Sequence, residues 1–429
     1  MKSDMKEETK GLRAVHLSMR VSSVQVSPTV ATAARATLLR SEGRHILDFS
    51  VGEPDQGTPE RIRRAAEDAM NRGETRYVPS LGIPALRKAV ARRYLEDDGV
   101  RFDASEVAIT LGGKQAFALA CEAILDPGDE IVVPTPFWPT FSEAPRLAGG
   151  VPVFAPLDGA RGFAFDPDLI LKKVRRKTRA LVINSPSNPT GAVVGERALI
   201  DIAQSLKKKA PDAFLIFDDT YARLRYVKSH PRMLPRVREI LGERFLVAGT
   251  ASKTYCMTGW RIGWLLAPKT VIQGVSALIS HETQCAASFA QFGAVEALNG
   301  PQDFVSDQVA EYRVRRDMVV GALNAIPGIK CRVPEGAFYA FPDIRASLTR
   351  AMPDALTFAA RLLDEQGVAV VAGEGFGCPG YIRISFARSQ EELRQGLTAI
   401  TTFVGSLDRR PTSRPTSRRS APAGKEAHR

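Results

Sequence analysis

The sequence predicts an α/β protein: a large domain with a mostly parallel sheet flanked by helices, and a smaller α/β domain beside it. Three observations carry this. Short apolar runs alternate with stretches of helical period through the middle of the chain. A chain of 429 residues with 44% hydrophobic content can bury one large core and a second, smaller one. Polar and charged residues stand where the apolar runs end, and ligands of such sheets sit outside the carboxyl ends of the strands.

The elements follow in order. Pro84 to Leu95 reads as a helix opened by proline, with Leu86, Ala89 and Val90 three and four residues apart. Lys114 to Leu125 repeats Phe117, Cys121 and Leu125 at the same spacing, and Ala198 to Lys209 repeats Leu199, Ile202 and Leu206. Between them, Ile131–Val133, Val151–Phe154, Ala180–Ile183, Ala213–Phe217 and Phe245–Ala248 are apolar runs too short for helices, and read as buried strands. Continuous rather than alternating hydrophobicity marks strands covered on both faces, as in a parallel sheet.

Composition narrows the function classes. Cys121, Cys256, Cys285, Cys331 and Cys378 are odd in number and scattered without a CxxC pair, which argues against a disulfide framework or a metal site and for a reducing, cytoplasmic setting. No stretch has the roughly eighteen apolar residues of a membrane span, and the first ten residues lack an apolar signal core. The net charge of +12 would point to nucleic acid if spread over a folded face, but residues 409–429 hold seven Lys or Arg against one Glu. That segment has no apolar face to bury and no aromatics between its charges, so it reads as a disordered basic tail, and nucleic-acid binding is not expected.

The strand ends carry the chemistry. Ser252-Lys253 follows small hydroxyl and glycine residues just after the run Phe245–Ala248, and Arg261 comes eight residues later between Gly259 and Gly263. A lysine used as a nucleophile must have its amine lowered by desolvation or by neighbouring positive charge, and Arg261 can supply that charge while Thr250 and Ser252 offer hydroxyls to phosphate oxygens. Taken alone, Lys253 reads as an ordinary loop lysine, and its company must decide. Thr110-Leu-Gly-Gly-Lys-Gln115 places paired glycines at a helix start, which suits an anion or a plain turn. Asn184 to Gly191 sets two amides in a proline-rich loop. Asp218-Asp-Thr-Tyr221 puts a carboxylate at the mouth of an apolar strand, where it needs a cationic partner unless it caps a helix.

Together with Gly52-Glu-Pro-Asp55, Tyr77 ahead of Gly82-Ile-Pro84, Pro134-Thr-Pro-Phe-Trp138, Asn188-Pro-Thr-Gly191 and Arg383-Ile-Ser385, these segments resemble the fold-type I pyridoxal-phosphate enzymes. Within them, the chain is similar to the class I aminotransferases of the aspartate (aspartate/prephenate) aminotransferase group, over roughly residues 16 to 405. The resemblance implies a seven-stranded type of sheet and pyridoxal 5'-phosphate as cofactor. It implies that Lys253 forms the Schiff base and shuttles a proton, that Asp218 keeps the ring nitrogen protonated, and that Asn188 and Tyr221 bond the ring oxygen. Trp138 would stack on the ring; Gly113, Lys114, Thr250 and Arg261 would hold the phosphate, joined by Tyr77 from a neighbouring copy, hence a homodimer with shared sites. Arg383 and Gly52 would meet the substrate α-carboxylate, and Lys114, Ser27 and Thr29 a distal carboxylate.

The reaction so implied moves an amino group from an L-amino acid, aspartate or glutamate, to a 2-oxo acid by a ping-pong mechanism. A lyase, decarboxylase or oxidase on the same cofactor, or an aromatic or prephenate aminotransferase, is the alternative. Two departures bear on the distal group: Thr220 stands where an aliphatic residue is usual, and His281 to Ser288 lacks the usual hydroxyl-rich, proline-containing run. The division implied is a flexible 1–15, an N-terminal arm and part of the small domain at 16–61, a large cofactor domain at 62–305, a small domain at 306–406 and the basic tail at 407–429.

Overall fold

The computed structural model describes residues 17–227 and 233–407. The expected flexible N-terminus and nearly all of the expected basic tail lie outside these residues.

Along the described chain the strands are β1 Leu47–Asp48, β2 Val107–Thr110, β3 Glu130–Thr135, β4 Val151–Pro156, β5 Thr178–Asn184, β6 Phe214–Asp218, β7 Phe245–Thr250, β8 Gly263–Leu266, β9 Tyr339–Ala340, β10 Val368–Ala369, β11 Val371–Ala372 and β12 Ile382–Ser385. Seven of them form one sheet in the order β2-β8-β7-β6-β5-β3-β4. Only β8 runs against its neighbours, so the sheet is mostly parallel, as expected. The five expected strands are β3 to β7, and the three expected helices are Pro84–Asp98, Gly113–Ile124 and Glu196–Lys209.

Both faces of the sheet are covered. Leu215 and Phe217 of β6 face a core shared with the helices Pro84–Asp98, Glu196–Lys209 and Ser288–Asn299. Phe214 and Ile216 face a second core with the helices Gly113–Ile124 and Lys269–Glu282. This is the two-residue period of a strand applied to a run that is apolar on both sides. A third core gathers the helices Asp303–Asn324, Ala355–Gln366 and Gln390–Leu407 around β9 to β12, and Leu47 and Phe49 of the N-terminal part belong to it.

Direction decides where chemistry collects. β2, β3, β5, β6 and β7 all end at the same edge of the sheet, and antiparallel β8 begins there. Residues far apart in sequence therefore meet at that edge. The chain after β6 crosses to the third core, where Tyr221, Leu224 and Tyr226 pack.

Candidate active site

A cavity of about 270 Å³ opens at this edge. The sheet supplies Gly113 and Lys114 after β2, Trp138 after β3, Asn184 and Asn188 at and beyond β5, Asp218 and Tyr221 at and beyond β6, Thr250 and Lys253 at and beyond β7, and Arg261 before β8. Tyr339 and Arg383 come from the third core, and Ser27, Thr29 and Gly52 from the N-terminal part. Every expected site residue except Tyr77 lines this cavity.

Lys253 Nζ donates a hydrogen bond of 2.7 Å to the Gly52 carbonyl. Burial, then the charges of Arg261, Arg383 and Lys114, lower its amine to about 8, while Glu53 pulls the other way. A substantial fraction is then neutral near pH 8, which is the state a nucleophilic amine requires.

Asp218 is buried at the last position of β6. Its Oδ1 accepts from Asn184 Nδ2 at 3.0 Å and from the Thr220 N–H at 3.1 Å. Burial pushes its carboxyl up to about 6 against the pull of those bonds. Asn184 stands beside it in register on β5 and also accepts the Asn188 N–H at 2.8 Å, so one amide braces two site residues. No helix follows Asp218 or Asp219; a turn does, and the helix-cap alternative falls away.

Arg383 lies on β12, buried, with Nη1 donating to Asn188 Oδ1 at 3.0 Å and Nη2 to the Ser50 carbonyl at 2.5 Å and Thr29 Oγ1 at 3.4 Å. Its guanidinium stacks over Tyr339 and Phe376 at 4.6 and 5.0 Å. Burial lowers its pKa, and among the described residues no carboxylate pairs with it and its buried Nε has no partner. A desolvated guanidinium with a free donor is a site for an anion from outside the chain.

Arg261 has a left-handed backbone, φ 57°, and reaches across to the Leu111 carbonyl at 2.9 Å and the Thr258 carbonyl at 2.8 Å. The loop Gly112–Gly113 packs so closely on Gly263 that a side chain at 263 would collide with the backbone of residues 112 and 113. That contact holds the first N–H groups of the helix Gly113–Ile124 beside Arg261, Thr250 and Ser252. Thr250 Oγ1 and Ser252 Oγ lie 2.8 Å apart. Amides at a helix start, two hydroxyls and a guanidinium are a dianion cradle.

Lys114 Nζ sits 5.4 Å from the centre of the Trp138 ring, and burial followed by the Arg261 charge lowers its pKa. The Tyr221 and Tyr339 hydroxyls share a hydrogen bond of 2.7 Å. Tyr339 was not expected; it joins the site because β9 pairs with β12, two residues from Arg383. Tyr77 is 83% exposed and lies outside the cavity of this single chain.

The family described as aminotransferase class I and II matches residues 44–400. This chain belongs to that family. An aspartate aminotransferase of Rhizobium meliloti is 37% identical over 90% of this chain and 96% of its own length. A probable aspartate/prephenate aminotransferase of Aquifex aeolicus is 39% identical over 90% of this chain and 97% of its own. Among solved structures, the aspartate aminotransferase of Rhizobium meliloti superposes with a TM-score of 0.87 at 36% identity, covering 91% of this chain and 99% of that one. The Thermus thermophilus enzyme with maleate superposes at 0.85 and 38% identity, over 91% of this chain and all of that one. The chain is thus a transaminase of a family that works with pyridoxal phosphate, and the cavity at the sheet edge is the candidate active site of this aminotransferase.

Proposed function

We propose that this aminotransferase transfers the amino group of aspartate or glutamate to a 2-oxo acid, in two half-reactions, with pyridoxal 5'-phosphate held in the 270 Å³ cavity. The observation that carries the reading is the convergence of Lys253, Asp218 and Arg383 on one cavity from β7, β6 and β12. The residues present fit the cofactor. Asp218 is a buried carboxylate with no cation paired to it among the described residues, which suits a protonated ring nitrogen; the cradle of Gly113, Thr250, Ser252 and Arg261 suits a phosphate; and the lowered Lys253 amine suits a Schiff base.

When bound, the cofactor supplies a conjugated ring that takes up the electron pair left as the α-hydrogen departs. The chain's own residues do the rest. Asp218 holds the proton on the ring nitrogen. Arg383, backed by Asn188 and Ser50, grips the α-carboxylate and fixes the orientation of the bond to be broken. The Lys253 amine takes the α-proton and returns it elsewhere. Trp138 would cover one ring face, and Asn188 with Tyr221 would bond the ring oxygen.

Lys114, Ser27 and Thr29 line the same cavity, and a cation beside two hydroxyls supports a substrate with a second carboxylate. Tyr77, exposed in one copy, belongs in this reading to the phosphate site of a second copy, in a homodimer. The same reading keeps the divisions at residues 62 and 306, and the cytoplasmic setting. Among the described residues no helix is long and apolar enough to cross a membrane.

The test incubates the purified enzyme, cofactor, aspartate and 2-oxoglutarate, and measures oxaloacetate and glutamate together. One-to-one appearance of both is the expected result. Carbon dioxide or ammonia released without glutamate would replace this reading by a decarboxylase, lyase or oxidase.

A further inference from the structure

Behind the cavity, on the other face of the sheet, lies a buried polar chain that none of the expected roles uses. The Trp264 indole N–H donates to the Tyr94 hydroxyl oxygen at 3.0 Å, and that hydroxyl donates to Asp219 Oδ2 at 2.5 Å. All three residues are buried. Burial and the neighbouring Asp219 push the Tyr94 hydroxyl well above the ordinary phenol range, so it stays a donor. Burial also pushes the Asp219 carboxyl up, and in either protonation state it keeps an oxygen that accepts from Tyr94.

The position of this chain gives it a task. Asp218 and Asp219 are consecutive at a strand end, so they face opposite sides: Asp218 faces the cavity, and Asp219 the core that holds Tyr94. The Asp219 N–H also donates to the Ala248 carbonyl of β7 at 3.1 Å. On β7, Gly249 pairs with Trp264, and a side chain at 249 would collide with the Trp264 indole and the Tyr94 hydroxyl. Trp264 and Tyr94 therefore lie directly against the backbone that precedes Thr250. The chain abuts two strand ends at once, one carrying Asp218 and the other Thr250 and Lys253.

We infer that Tyr94, acting with Asp219 and Trp264, is a positioning residue that keeps Asp218 aimed into the cofactor cavity; the inference rests on the cofactor reading given above. Asp218 is held on the cavity side by Asn184 and the Thr220 N–H, and Asp219 is held on the far side by the Tyr94 hydroxyl, so the two sets of donors fix the turn between them. Without the Tyr94 hydroxyl, Asp219 loses a hydrogen bond of 2.5 Å in a desolvated place. The turn it would disturb contains the Thr220 N–H that orients Asp218, and Tyr221.

The experiment titrates apoprotein with pyridoxal phosphate and reads the dissociation constant by absorbance, with thermal unfolding of each apoprotein alongside. Tyr94→Phe is expected to weaken affinity about tenfold, a loss of about 1.4 kcal/mol. Asp219→Asn keeps an acceptor for Tyr94 and is expected to stay within about twofold of wild type. The decisive comparison places Tyr94→Phe in an Asp218→Asn background, where it is expected to cost less than about twofold, because residues acting through one another are not additive. Additive losses, or unchanged affinity with lowered stability alone, would overturn the inference. If Asp218→Asn by itself left affinity intact, the cofactor reading would fall first and the inference with it. Should Tyr94→Phe not fold, Trp264→Phe, which removes the donor to Tyr94 together with the part of the indole packed on Gly249, enters the same cycle with the same criteria.

Discussion

Asp218→Asn is expected to raise the stability of the apoprotein while sharply lowering the activity of the holoenzyme. A carboxyl moved from 3.8 to about 6 by burial corresponds to about 3 kcal/mol of disfavoured ionisation in the fold. The sign follows from the direction. The folded pKa is raised, so the folded chain binds a proton more readily than the unfolded one. The stability this group contributes is fully present below the unfolded value and is lost as pH rises through about 6. Asparagine keeps the shape, and its Oδ1 still accepts from Asn184 and Thr220. Urea unfolding at pH 8 should therefore show the variant apoprotein more stable by about 3 kcal/mol, with the gap shrinking to about 1 kcal/mol at pH 4.5. The holoenzyme should lose kcat/KM by on the order of 10² to 10⁴, the loss that follows when a buried charge loses its partner by about 3–5 kcal/mol. A variant less stable than wild type at pH 8, or a gap independent of pH, would refute the assignment of strain to a desolvated carboxylate.

Three further expectations use other residues of the cavity. Lys253→Met should end transamination and stabilise the apoprotein near pH 7 by about 3 kcal/mol, since an amine lowered from 10.5 to about 8 loses its contribution as pH falls through about 8; the gap should close toward pH 10.5 in denaturant titrations. Arg383→Lys should lower kcat/KM for every amino-acid donor by on the order of 10², mostly through KM, because an ammonium cannot reproduce the fork that Asn188 and Ser50 orient. Lys114→Ala should cost aspartate about tenfold or more in kcat/KM and leave alanine nearly unchanged; equal losses on both donors would assign Lys114 to the phosphate instead.

Four of the five legible strands are buried on both faces, which leaves runs such as Leu181–Ile183 and Leu215–Phe217 without a polar residue; β4, at the sheet edge and only partly buried, was legible from its apolar run alone. β2 and β8 were not. Each has four residues; one runs into Leu111-Gly-Gly, and the other follows directly on the Lys253 loop, so both resemble connecting chain. Their strand character comes from β8 inserting antiparallel between β2 and β7, a long-range pairing with no local signature. The two-residue strands around Arg383 have no period at all, which is why Tyr339 escaped notice although it bonds Tyr221. The same cause left Asp218 and Asp219 undivided by pattern alone: in a run apolar on both faces, alternation cannot tell which neighbour points to the ligand. The resemblance chose Asp218, and in the structure Asp218 lines the cavity while Asp219 accepts from Tyr94 in the core behind it.

Charge follows a similar logic. The net +12 of the whole chain invites a reading in terms of nucleic acid, yet much of it lies in residues 409–429. The charge that matters for chemistry is local: Lys253, Arg383, Lys114 and Arg261 line the cavity against the single carboxylate of Asp218. Burial lowers both amines first; the Arg261 charge adds to it at Lys114, and the charges of Arg261, Arg383 and Lys114 add to it at Lys253, so the cations work against one another in a desolvated space. Such a cavity is at its least favourable when it holds no anion. A phosphate beside Arg261, an α-carboxylate on Arg383 and a distal carboxylate near Lys114 would each relieve part of that repulsion. Burial, with the repulsion added to it against the pull of Glu53, keeps the Lys253 amine partly neutral for its chemistry, so one desolvated arrangement of charge serves both anion binding and nucleophilicity.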